Sequence, residues 1–369
     1  MSDGDSWPRY QRDRTRTGYN PSASPPTETV TEQWQLEVDE WGPNSLQPVV
    51  SDDTVYVNDS SDSLYAIDRQ TGEKVWTFEG QNTLGSFPTV TDDRVYVGGT
   101  AKPPDIGIVG RLYGLNPETG EKQLHFDVDS ACGTPIVRGD SIYVGDGSGY
   151  IYAIDKETAE KKWRFATSPY DRSIIKTPAV DGNTLYASTQ EGIMYAVELE
   201  TGREQWRFES EDDGFTSPLV SDGLIYVAAS NWDDERDKLY ALDKEGGEPR
   251  WVFTDGFEIS YDQTTAPAIA YGKVYVGGSG GTLHAIDSKS GNKKWQFETG
   301  QPINEPTVAN RRVYFGDTGG NLYAVNTQSG TEEWRTNIDG WGVSGPTIAD
   351  DNIYVSRAGD KEGIVYSFE

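Results

Sequence analysis

The chain has 369 residues, 35% hydrophobic and 12% aromatic, and its 60 acidic against 32 basic residues give a net charge of −28. A field of that sign repels nucleic acid and anionic membrane, so neither is expected as a partner. One cysteine excludes an intrachain disulfide and a thiolate metal cluster, two histidines leave the commonest catalytic metal ligands nearly absent, and no run approaches the ~18 apolar residues of a membrane span.

The acidity is spread along the whole chain, the composition expected of a protein kept soluble at very high salt, where repulsion is screened within a few ångströms. A halophilic source, a haloarchaeon, is therefore expected. Ser2 to Ser6 are polar and no apolar stretch follows Met1, so no signal peptide is read. The chain is then cytosolic or a mature exported chain written without its leader; the expectation taken here is an extracytoplasmic or cell-surface location. With 41 Gly and 19 Pro distributed throughout, the punctuation is that of short strands and turns.

Residues 1–33 differ from the rest. They carry Arg9, Arg12, Arg14 and Arg16 and a Pro-rich run from Tyr19 to Pro26, which favours extended conformations outside a sheet. Trp7, Tyr10 and Tyr19 are costly to leave in water, so this segment is expected as an arm laid across the surface of one large domain, residues 34–369.

From Trp34 onward the chain aligns on itself. Pro48, Pro88, Pro135, Pro178, Pro218, Pro267, Pro306 and Pro346 are each followed by an apolar residue or two and then a turn, and eight residues after each comes Tyr56, Tyr96, Tyr143, Tyr186, Tyr226, Tyr275, Tyr314 or Tyr354. Spacings of 39 to 49 residues fall in the range of solenoids, propellers and arrays. Each unit has four strand signals; in the fourth unit they centre on Thr177–Val180, Leu185–Ser188, Met194–Val197 and Gln205–Phe208. Four short antiparallel strands per repeat make one propeller blade. The joint of the third and fourth strands is clearest at Ala66–Phe78, where Asp68 can accept backbone N–H groups and Gly72 can take a positive φ. A tryptophan follows at a fixed offset, a large flat side chain suited to packing one unit on the next.

The fourth-strand tryptophans are Trp76, Trp163, Trp206, Trp251, Trp295 and Trp334, with Leu124 in that slot in the second unit. The eighth unit stops at a third strand, whereas Trp34-Gln-Leu36 has the pattern of a fourth strand without a blade. The two defects cancel if the N-terminal strand completes the last blade, which would also cover exposed sheet edges. The expected fold is thus all-β, an eight-bladed propeller closed around Trp34, and monomeric.

Ala-x-Asp, then Thr-Gly, then Trp four residues after the Gly resembles the tryptophan-docking repeat of the quinoprotein family, the eight-bladed propellers of pyrroloquinoline-quinone dehydrogenases and their non-enzymatic relatives. It is nearly complete at Ala66–Trp76, Ala196–Trp206, Ala285–Trp295 and Ala324–Trp334, and weaker at Ala153–Trp163, Ala241–Trp251 and Gly114–Leu124. The arm, with Trp7-Pro-Arg-Tyr10, Asp13 and Tyr19-Asn-Pro21, is similar to the segment preceding the propeller in that family. The resemblance implies the fold far more strongly than an activity. Its enzyme branch would bring a quinone and Ca2+ at the channel mouth, an adjacent cysteine pair, Glu, Asn and Asp ligands and an Asp base; Cys132 alone makes no such pair. A ligand set could be drawn from Asn304, Glu305 and Asp262. The other branch includes a propeller lipoprotein that scaffolds outer-membrane protein assembly, and a non-catalytic scaffold without cofactor is the reading preferred.

Other motifs lose their chemistry in context. His125 and His284 occupy repeat positions of strands and are expected to be structural. The glycine-rich runs 145–149 and 277–281 are hairpin turns at a repeat position with no helix behind them to supply a dipole for phosphate. Cys132 has no cation nearby in sequence to activate it.

Departures from the repeat are the better guide to function, because loops carry it on a rigid scaffold. Connections between second and third strands are lengthened at 100–110, 231–238 and 357–363, and those leading into the fourth and sixth blades at 167–174 and 254–263. Both kinds leave the same end of a blade, and that end also holds Trp41 and Trp341. With Tyr170, Arg172, Trp232, Phe257 and Tyr261 they form the candidate surface for a protein or small polar ligand. Lys176, Asn304 and Glu305, just before inner-strand prolines, are the candidate channel lining.

Overall fold

A computed structural model of the chain describes residues 8–39, 47–59, 61–104, 107–167, 176–211, 214–230, 237–255, 266–338, 340–358 and 362–369. The side chains of Asp39, Trp341 and Ala358 lie outside that description. Eight sheets, each built on four antiparallel strands, in sequence order in all but the last, are arranged as the blades of a propeller. The fourth blade is representative: Ala179–Asp181 is innermost, Thr184–Ser188 and Ile193–Glu198 follow, and Glu204–Glu209 is outermost.

The third strands do not alternate in exposure. Leu64, Tyr65, Ala66 and Ile67 are all buried, because a third strand lies between neighbouring blades on both faces. Fourth strands at the rim do alternate, so Trp76 is buried while Val75 beside it is exposed. Apolar clusters accordingly span blade pairs: Leu64, Ala66 and Trp76 of blade one pack with Val95, Val97 and Tyr113 of blade two.

The ring closes as the displaced Trp34 implies. Glu32–Asp39 pairs antiparallel with Glu362–Phe368, with Gln35 opposite Tyr366 and Glu37 opposite Ile364, and becomes the fourth strand of the last blade. Around the channel, inner-strand threonines stitch one blade to the next. The hydroxyls of Thr89 and Thr307 donate to the carbonyls of Pro135 and Pro346 at 2.7 and 2.6 Å, and that of Thr347 donates to Pro48 across the closure at 2.5 Å.

The turn between the third and fourth strands of blade one is held as the motif requires. Asp68 Oδ1 accepts from the N–H groups of Gln70 and Thr71 at 3.0 and 2.8 Å, and Gly72 has a φ of 73°. The indole of Trp34 lies on that glycine, and its N–H donates to the Arg69 carbonyl at 2.9 Å. Trp76 on Gly120 donates to Pro117, Trp163 on Gly202 donates to Leu199, and Trp251 on Gly291 donates to Ser288, each at 2.9 to 3.0 Å. Trp334 faces a blade with no such turn, and its N–H reaches the Pro26 carbonyl at 3.3 Å.

Candidate functional site

Residues 8–26 coil around one end of the channel. The N–H groups of Val90, Val180, Val220, Ile269 and Val308, each the second residue after an inner-strand proline, donate to the carbonyls of Pro8, Arg14, Thr15, Thr17 and Gly18, all at 2.8 Å. Tyr19–Asn20 adds a short parallel strand to Thr307–Ala309, and Asn20 Nδ2 donates to Ile348 O at 2.9 Å. The inner strands of six blades are thus tied to one stretch of chain. The tight coil needs left-handed backbone at Gln11, Arg12, Arg16 and Gly18 (φ 55° to 67°), tolerable in the non-glycine residues because the surrounding strands over-determine it. Asp13 braces it by accepting from Thr15 Oγ1 and from the N–H of Thr17, at 2.9 and 3.1 Å.

Side chains of this coil enter the axis. Tyr10 stacks on Phe87 with centroids 4.0 Å apart and planes 6° from parallel, and the Arg16 guanidinium sits 4.5 Å over the Tyr10 ring. Arg16, only 2% exposed, donates from Nη1 to the Thr177 carbonyl at 2.6 Å, while Tyr10 Oη donates to Glu305 Oε1 at 3.3 Å. Burial lowers the Arg16 guanidinium to about 10, against the opposing pull of Tyr10 and Glu305. Burial raises the Glu305 carboxyl, and the nearby Tyr10 and Arg16 offset only part of that. The space left beside Arg9, Tyr10 and Arg16 is about 10 Å³, room for one water at most.

Of the channel-lining residues expected from sequence, Glu305 faces the Tyr10–Arg16 pair. Asn304 turns its amide to the Val343 carbonyl, and Lys176 lies next to Thr177, its N–H donating to Ser188 O at 3.0 Å. Of the expected partner surface, Trp41, Tyr170, Arg172, Trp232, Phe257 and Tyr261 lie outside the described residues, as does Asp262, and of Trp341 only the backbone, in the strand Trp341–Val343, is described. What sequence reasoning missed is that the arm fills the channel. The signal was there in the four arginines within eight residues of an acidic chain.

The described residues do not fit a quinone with Ca2+. Cys132 is alone and buried, its thiol pushed up by burial and by Asp146 nearby. Asn304 and Glu305 direct their polar groups at different protein partners. No cluster of three or more His, Cys, Asp or Glu suited to a metal occurs among the described residues. His284 is a 2% exposed strand residue edge-on to Phe253.

The fold and its contents define an eight-bladed propeller whose axis is plugged by its own N-terminal segment. The chain belongs to the family described as outer membrane protein assembly factor BamB, matched over residues 26–105, 105–179, 167–305 and 298–369. Among curated relatives, the quinohemoprotein alcohol dehydrogenase of Comamonas testosteroni is 27% identical over 164 residues, 38% of this chain and 22% of that protein. The outer membrane protein assembly factor BamB of Yersinia pestis is 26% identical over 176 residues, 45% of this chain and 44% of that one. Both matches span less than half of the relative's length. The crystal structure of BamB from Moraxella catarrhalis superimposes with a TM-score of 0.73 at 19% identity, over 92% of this chain and all of that one, a likeness of fold.

Proposed function

We propose that the protein is a non-catalytic propeller scaffold that binds a partner protein through the end of the ring bearing the long connections, at the cell envelope of an organism living in high salt. The observation that carries this reading is the plugged axis. Tyr10, Phe87, Arg16 and Glu305 pack together and fill the space where the channel would otherwise admit a ligand, so recognition is left to the opposite end. Relatives described as assembly factors support a role in bringing other proteins together. Relatives described as alcohol dehydrogenases supply the rival, a quinone- and calcium-dependent oxidoreductase.

The deciding experiment is affinity capture from the native organism in high salt, comparing the wild-type chain with a Trp41→Ala, Trp341→Ala double variant. A defined partner retained by the first and lost by the second, with unchanged melting, is the expected result. Quinone-dependent alcohol oxidation after adding pyrroloquinoline quinone and Ca2+ overturns the scaffold reading in favour of the oxidoreductase.

A further inference from the structure

At the end of the ring that carries the short turns between first and second strands, a hollow of about 480 Å³ lies between the N-terminal coil and blades three and four. Its walls carry Arg9, Arg12, Arg14 and Arg138 against two carboxylates, Asp13 and Asp181. Both carboxylates are engaged. Asp13 accepts from Thr15 and Thr17 inside the coil, and Asp181 accepts from Lys244 at 2.9 Å. Arg12 donates to the Tyr19 carbonyl, but the other guanidiniums are not comparably matched: Nε and Nη1 of Arg9 and Nη1 of Arg138 are buried without a hydrogen-bond partner, and the exposed Arg14 side chain has none among the described residues. Burial, and then Arg14, lower Arg9 to about 10, and Asp13, already engaged by Thr15 and Thr17, offsets only part of that.

In a chain of net charge −28, a concentration of unmatched guanidiniums in one hollow is contrary to the general field and costs desolvation and repulsion. Guanidinium forks suit phosphoryl oxygens, donating to two of them at a time. We infer that this hollow is a binding site for a small phosphoryl-bearing anion, held by Arg9, Arg14 and Arg138. An adjoining hollow of about 600 Å³ shares Arg14 and Arg138 and extends past Tyr143 to Trp163, so the remainder of an organic phosphate has room beyond the anion. The same negative field that repels anionic surfaces favours a small free ligand over a lipid headgroup as the source.

The site is tested by titrating the full chain calorimetrically with sodium pyrophosphate and with inorganic phosphate at a fixed high NaCl concentration. Saturable binding is expected, tighter for pyrophosphate, and weakened at least about tenfold by Arg14→Gln and by Arg138→Gln, since each removes a charge-assisted contact. Both variants should melt as the wild type does, which separates lost binding from lost folding. Heats no larger than those of NaCl dilution, or pyrophosphate binding unchanged in the two variants, overturn the assignment. So does arginine-dependent sedimentation with phosphatidylglycerol vesicles when free pyrophosphate fails to bind.

Discussion

A tryptophan laid on a glycine is the smallest unit of this ring, and its exception explains the rule. A Cβ added at Gly72, Gly120, Gly202, Gly247, Gly291 or Gly330 would stand 2.6 to 2.7 Å from the indole of the preceding blade, so glycine there serves close approach as well as positive φ. In blade three the corresponding residue is Ala159, still at φ 57°, and in blade two the indole is replaced by Leu124. The two departures answer each other, because a Cβ leaves no space for a flat ring against the turn. Gly202→Ala should therefore destabilise the protein by about 2–4 kcal/mol through strained φ and overpacking on Trp163. Adding Trp163→Leu should recover about 1 kcal/mol relative to the sum of the single changes. Urea unfolding of the four proteins measures this cycle, and strict additivity would mean that the Leu124–Ala159 pairing is coincidence.

At the scale of the element, the turn between third and fourth strands couples the fold to pH. The Asp68 carboxyl is lowered chiefly by the N–H of Thr71, Asp243 by Arg250, and Asp287 by Lys294, to about 2. A carboxyl depressed in the folded state adds stability above its unfolded pKa of about 4, and that stability is lost as pH falls through the folded value. These groups lie at the rim and are partly exposed to solvent, so each contributes only about 0.5 kcal/mol after screening. Blades two and seven use Asn116 and Asn326 instead, whose Oδ1 atoms accept the same backbone N–H groups at 2.9 to 3.1 Å. Asp68→Asn with Asp287→Asn should accordingly leave stability at pH 7 within about 1 kcal/mol of wild type and flatten its decline between pH 4 and 2. The slope of the urea midpoint against pH reads it; an unchanged slope would place the acid sensitivity elsewhere.

For the whole molecule, closure and plugging are separate devices carried by neighbouring segments. Glu32–Asp39 supplies a whole strand to the last blade, whereas residues 8–26 lie on strands that are already complete. A chain beginning at Glu32 should keep its β-sheet signal and a cooperative transition, with a midpoint lowered by roughly 5 °C or more. One beginning at Gln47 leaves the edge of Glu362–Phe368 uncovered and should aggregate. Circular dichroism and size-exclusion chromatography distinguish them, and a monomeric, cooperatively melting chain from Gln47 would show that the ring does not depend on its closing strand.

The blade count, the four strands and the displaced fourth strand at Trp34 were legible in the residues, since each follows from local periodicity and from the same offsets repeating along the chain. The candidate site was legible only in fragments. Arg9, Arg14 and Arg16 read as an arm on a surface because nothing local tells a surface arm from a plug. Their places depend on inner strands as distant in sequence as Val308 converging on one axis, and Arg138, from another blade, could not be joined to them before the ring was closed. Likewise Leu124 and Ala159 were two unrelated lapses from a repeat until the blades were set side by side. Sequence alone determined the repeated joint, because a turn with a fixed tryptophan offset is a short-range geometry. Tertiary structure alone decided what the axis contains and where the basic charge gathers, because burial and electrostatic neighbourhood are properties of residues brought together by the closed ring.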